Sequence, residues 1–270
     1  MRSLSIALAG FTLVAPSWLA GPLAWGGEAA PPSSPPVAAA SNAVSLPSAE
    51  AEVARQLERL GVKVQIDGDG RVLSIEAINS RLTDAELVSL GQLSSLESLE
   101  LGGSQITDQG LAAVRPLSAL LRLYLHDLEL SDAGLQHLAG LKNLEALSMQ
   151  QTRVKGPGLV HLQNLVGLQV LNLAQTGTTD ADLAHLEGLT NLETLVLEAT
   201  NVTGAGLIHL KNMSRLRVLN LRGCDVAAAD LEQLVGIRSL KILYLKGTKV
   251  TREEAKAFRK KMEGLAVFFY

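Results

Sequence analysis

A period of 24 residues runs through most of this 270-residue chain, eight times over, without an insertion or a deletion. Three columns fix its phase. The first is Ile75, Leu99, Leu123, Leu147, Leu171, Leu195, Leu219, Leu243; seven residues further on stand Leu82, Ile106, Leu130, Val154, Thr178, Val202, Val226, Val250. The third is Leu87, Leu111, Leu135, Leu159, Leu183, Leu207, Leu231 and Ala255. A unit this short cannot enclose a core by itself, so each must bury its apolar face against its neighbours and at least three are needed.

Within one unit the local signals change in order. Leu195-x-Leu197 alternates with period two, as a half-buried strand does. Thr203 then suits a helix N-cap, and Leu207 and Leu210 at i, i+3 form the inward stripe of a short helix. Thr83-Asp-Ala-Glu86 and Thr251-Arg-Glu-Glu254 have the spacing of a capping box. Ala227-Ala-Ala-Asp230 and Lys155-Gly156-Pro157 lack the hydroxyl, which predicts the two weakest helix starts there.

The stretch Leu96-Glu-Ser-Leu99-Glu-Leu101-Gly-Gly-Ser104-Gln-Ile106-Thr107-Asp108-Gln-Gly110-Leu111 resembles the leucine-rich repeat family, in the bacterial variant L-x-x-L-x-L-x-x-T-x-[IV]-T-D-x-G-L-x-x-L. The resemblance extends from about Val72 to Gly264. It implies an α/β fold, a right-handed solenoid or horseshoe with a concave parallel β-sheet and short helices on the convex side. It also implies a role in protein or ligand binding without catalysis.

The flanks divide as follows. Residues 1–27 read as a signal peptide, with Arg2 as the positive region, Leu4 to Ala15 as the apolar region and cleavage after Gly26 or Ala29. The expectation is an exported protein, periplasmic or extracellular. The apolar run is too short to span a bilayer, so no transmembrane span is expected in the mature chain. Residues 28–47, rich in Pro, Ala and Ser, read as a disordered tether. Residues 48–71 predict a helix from Ser48 to Leu60 and a hairpin over the turn Asp67-Gly-Asp69-Gly70, capping the first of the repeats at 72–264. That turn lacks the later oxygen ligands of a calcium loop, having Arg71 and Ile78 instead. Glu253 to Glu263 reads as the last helix. Residues 265–270 read as a capping strand whose edge offers a second molecule a place to pair.

For function, the register names a face. The residue between the strand leucines runs Glu76, Glu100, Tyr124, Ser148, Asn172, Val196, Asn220, Tyr244, and two residues later the column is Ile78, Gly102, His126, Gln150, Ala174, Glu198, Arg222, Lys246. Adjacent strands lie about 4.8 Å apart, so column neighbours touch. One cluster is Arg122, Tyr124, His126 and Asp127 near Glu100. The other is Arg222, Tyr244 and Lys246, joined by Phe268 and Tyr270 if the register continues. Together with Asn172, Glu198 and Asn220 these are the candidate partner-binding residues, because Tyr and Arg dominate interface hot spots. Exposed strand positions also favour Tyr for sheet packing alone.

Charge narrows the partner. A net charge of −3 argues against nucleic acid, but residues 211–270 carry 13 of the 24 Lys and Arg and 6 of the 27 Asp and Glu. A protein partner, an anionic glycan and self-association through the C-terminal edge strand all remain open. His137, His161, His185 and His209 repeat at the period on the helical side, without the carboxylate or Cys ligands that complete a metal site. Cys224, alone of its kind, takes the column of Ser80, Ser104, Thr152, Thr176, Thr200 and Thr248 and reads as structural. Nothing in the pattern calls for a cofactor or an enzyme. Tyr124, His126 and Asp127 are the one group compatible with a hydrolytic reading.

Overall fold

The structure, a computed structural model, describes residues 48–269. The expected signal peptide and tether, and Tyr270, lie outside these residues. Helix α1 (Ser48–Arg59) and the hairpin β1 (Lys63–Ile66) and β2 (Val72–Glu76) come first. Eight further strands follow at the 24-residue spacing: β3 (Ser98–Glu100), β4 (Arg122–Tyr124), β5 (Ala146–Ser148), β6 (Val170–Asn172), β7 (Thr194–Val196), β8 (Val218–Asn220), β9 (Ile242–Tyr244) and β10 (Ala266–Phe268).

They form one ten-stranded sheet in sequence order. Only β1 runs antiparallel to its neighbour; β2 to β10 are parallel and in strict register, so Leu99 faces Leu123 and Glu100 faces Tyr124. The ladder continues past the strands, as in Leu101 N–H to Tyr124 O at 2.9 Å and Gly103 N–H to His126 O at 3.0 Å. Every column leucine of the period is free of solvent, and the buried residues form one continuous core. Truncating one of them to Ala would cost about 2–5 kcal/mol. Thr178, the polar member of its column, is fully buried and pairs its hydroxyl with that of Thr176 at 2.9 Å.

The outer layer departs from expectation in its pitch. Only α2 (Asp84–Leu87), α3 (Asp180–Leu183) and α4 (Arg252–Arg259) are α-helical. The other coils close with 3₁₀ turns, at Gly110–Val114, Asp132–His137, Pro157–Leu162, Gly204–Leu210 and Asp230–Leu234. A 3₁₀ turn rises more per residue and so crosses the coil with fewer residues. The last helix ends at Arg259, short of the predicted Glu263, and its strand occupies 266–268.

Each helix start holds one carboxylate, delivered by one of two routes. In the first, the acid of the preceding coil accepts from the next coil's cap. Asp84 serves Thr107, Asp108 serves Ser131 and Asp180 serves Thr203, each taking both the backbone N–H and the hydroxyl. In the second, an acid three residues into the same turn folds back: Asp182 onto Thr179, Asp230 onto Ala227 and Glu254 onto Thr251. The two acids would occupy the same space. A Cβ on Gly110 would stand 2.1 Å from Asp84 Oδ1, and one on Gly156 would stand 2.0 Å from Asp182 Oδ2.

The two starts without a hydroxyl also hold an acid. Asp230 accepts from Ala227 N–H at 2.8 Å, and Asp132 accepts from Gly156 and Gly158 N–H at 3.1 Å each. Charge-assisted bonds of this kind are the stronger ones, and what these two starts lack beside the others is the hydroxyl's own bond.

Candidate partner-binding face

The side of the sheet away from the core carries the predicted columns, and it differs along its length. At the N-terminal end Glu100 lies beside Tyr124, and the His126 ring lies against Gly102, where a Cβ would stand 2.1 Å from Nε2. Burial pushes the Glu100 carboxyl up, against the opposing pull of His126, and burial also raises the Tyr124 hydroxyl. Tyr124 is only 8% exposed. It packs into the sheet surface rather than standing out for a partner, as do Asn172 (1%) and Asn220 (8%). Arg122 is half-buried and Asp127 exposed.

Asp127 lies at a backbone φ of 56°, one of a column of left-handed residues that end the strands. Its place in the chain is explained by that turn. Among the described residues no hydrogen bond joins Tyr124, His126 and Asp127, the linkage a hydrolytic relay needs.

In the middle strands the two asparagines serve the backbone. Asn172 Oδ1 accepts from Ala174 N–H at 2.9 Å and its amide donates to Gln150 Oε1 at 3.2 Å. Asn220 repeats this one coil pair later, accepting from Arg222 N–H at 3.0 Å and donating to Glu198 Oε2 at 2.9 Å. Their polar atoms are committed to holding the strand ends.

At the C-terminal end the predicted cluster comes together. The Arg222 guanidinium sits 4.6 Å from the Tyr244 ring centroid, with Glu198 3.9 Å from its other side. Phe268 stacks on Tyr244 at 5.2 Å and an interplanar angle of 25°. Tyr244 is thereby fixed between a cation and a second ring, and its ordering cost on binding is already met. Lys246 is exposed beside them. The extrapolated register placed Phe268 correctly.

Sequence reasoning took only Arg122 from a third outward column, two residues before the first, and missed its apolar part. It includes Ala146, Val170, Val218 and Ile242, all on the strands, with Val170, Val218 and Ile242 half-buried. Period-two alternation contained the signal, since residues two apart share a face.

The remaining candidates resolve locally. Asp67 accepts from Asp69 and Arg71 N–H at 2.9 Å each, so its carboxylate closes the hairpin turn. Cys224 Sγ bonds Leu197 O at 3.0 Å, and burial pushes the thiol up and away from reactivity. His209 Nδ1 meets Glu187 Oε1 at 2.6 Å, and burial lowers the His137 value, with Arg115 acting the same way. Among the described residues no group of three or more His, Cys, Asp or Glu could hold a metal ion.

Comparison with known proteins agrees with this geometry. A family model described as a leucine-rich repeat matches residues 92–114. The structure of an internalin C2 from Listeria monocytogenes superposes with a TM-score of 0.61 at 26% identity, covering 75% of this chain and 82% of that one. The chain has the leucine-rich repeat fold. A second leucine-rich repeat structure, the ectodomain of the plant membrane receptor kinase GASSHO1/SCHENGEN3 from Arabidopsis thaliana in complex with CASPARIAN STRIP INTEGRITY FACTOR 2, has a TM-score of 0.55 at 21% identity. That match covers 76% of this chain and 25% of the ectodomain, and it speaks to the fold alone. No curated protein sequence matches this leucine-rich repeat chain. Among its described residues no helix is long and apolar enough to cross a membrane.

Proposed function

We propose that this protein is an exported binding module that holds a protein partner on the outer face of its sheet, over β8 to β10. The observation that carries the reading is the Arg222–Tyr244–Phe268 stack. An aromatic ring held on both sides beside aliphatic neighbours Val218 and Ile242 has the make-up of an interface hot spot. Arg2, the apolar run to Ala15 and the small residues before Gly27 support export. The predicted site narrows accordingly. Tyr124, Asn172 and Asn220 support the surface from within, while Glu198, Arg222, Tyr244, Lys246 and Phe268 meet the partner.

Capture from envelope extract by residues 30–270, compared with a Tyr244→Ala, Val218→Ser variant, tests this. The expected result is a partner held by the natural sequence and lost by the variant with its unfolding midpoint intact. A partner retained equally by both would move the site elsewhere. The cationic end also fits an anionic glycan by charge alone.

A further inference from the structure

We infer that the partner segment is an acidic polypeptide with apolar side chains at alternate positions, lying across β6 to β10. This rests on the binding-module reading above and gives it a chemistry.

Charge alone does not choose between a polypeptide and a glycan; the neighbours of the charges do. Val170, Val218 and Ile242, half-buried and with Thr194 between the first two, line the face leading to the Tyr244–Phe268 stack. A sugar needs outward amides and carboxylates to pair with its hydroxyls, since a buried unpaired hydroxyl costs about 1–3 kcal/mol. Here the two asparagines are turned to their own backbone, and Asn172 is fully enclosed. An aliphatic strip with its amides spent suits Leu- or Val-like side chains.

The acids of the partner follow from the cations at the same end. Lys246 is exposed and makes no ion pair among the described residues, whereas Arg217, Lys249 and Lys261 are matched to Glu193, Asp225 and Glu232. At the opposite end the face presents Glu76 and Glu100, which disfavour an acidic segment there, while Glu198, the acid within the proposed strip, is offset by Arg222 at 3.9 Å and accepts from the Asn220 amide at 2.9 Å. Five strands at about 4.8 Å span about 19 Å, the reach of about six extended residues.

The test uses a fluorescein-labelled octapeptide alternating glutamate and leucine, beside one alternating glutamate and serine and a labelled chondroitin sulfate oligosaccharide of equal charge. Fluorescence anisotropy with residues 30–270 is expected to show the glutamate–leucine peptide binding at least about tenfold tighter than either comparison probe. Val218→Ser and Lys246→Glu should each weaken it about fivefold or more, at an unchanged unfolding midpoint. Lys256→Glu with Lys260→Glu, on the outer helix α4 and at its C-terminal cap, should change it less than about twofold. Equal or tighter binding of the oligosaccharide overturns the inference in favour of a glycan. Peptide binding that ignores Val218→Ser and Lys246→Glu, or follows the α4 variant, overturns it as well. No peptide binding, together with loss of the captured partner in the Tyr244→Ala, Val218→Ser variant, sinks the acidic polypeptide and leaves the sheet face standing.

Discussion

Three residues past the end of each strand from β2 to β9 the backbone turns left-handed, at Asn79, Gly103, Asp127, Gln151, Gln175, Ala199, Gly223 and Gly247, with φ between 51° and 78°. A side chain there costs about 1–2 kcal/mol in Cβ crowding. The coil keeps the conformation because the same residue's N–H bonds the next coil, as Ala199 does with Arg222 O at 2.7 Å. Ala199→Gly is therefore expected to stabilise the protein by about 0.5–1 kcal/mol, and Gly223→Ala to destabilise it by about 1 kcal/mol, both read from denaturant midpoints. This column was illegible in the sequence because five of its eight members are not glycine, so Asp127 passed for a binding residue. Tyr124 was misjudged for a related reason. The register says which way a side chain leaves the strand, while its exposure depends on how neighbours pack over it.

Glu100 makes the same point with charge. Burial raises its carboxyl above the ordinary 4.5, so the folded state favours the protonated form. Its stabilising contribution is complete below that value and is lost as pH rises through the folded value. Thermal scans should show Glu100→Gln more stable than the natural protein at neutral pH, with the gap closing below about pH 4.5.

At the scale of the element, the junction between coils is the unit of design. Seven junctions each hold one acid. Four take it from the coil before, with Gly110, Gly134, Gly158 or Gly206 leaving room; three take it from within, with Gly156, Gly204 or Ala228 leaving room. Asp108→Gly removes two bonds to Ser131 and should cost about 1–3 kcal/mol. Gly134→Asp alone should also destabilise, by crowding Asp108. The double variant should recover more than half the loss, a coupling of about 1–2 kcal/mol in a double-mutant cycle. Additive losses would mean that the two routes are not equivalent. The capping boxes at Thr83 and Thr251 were legible from spacing alone. The inter-coil route was not, because its partners lie 23 residues apart and no local motif joins them.

For the whole molecule, the sheet, its order and the core columns could all be read in advance, because one period repeated in phase fixes every register at once. The candidate face was legible as a direction only. Where along it a partner fits depended on the missed aliphatic column and on which amides were already committed. Stability in such an array is close to a sum of units and neighbour terms. Lengthening it should therefore succeed wherever the new junction is sound.

The one-acid junction then dictates which units can be copied in tandem. A second copy of residues 107–130 sets Asp108 against a new Gly110 and makes a sound seam. A second copy of 179–202 sets Asp180 against a new Asp182, two like charges in one space, and a copy of 203–226 sets glycine against glycine and leaves the cap bare. Thermal unfolding of the three lengthened proteins should show a raised midpoint for the first and lowered midpoints for the others. If so, the array has a heredity of its own: some of its members can found a longer lineage and others can only occur once.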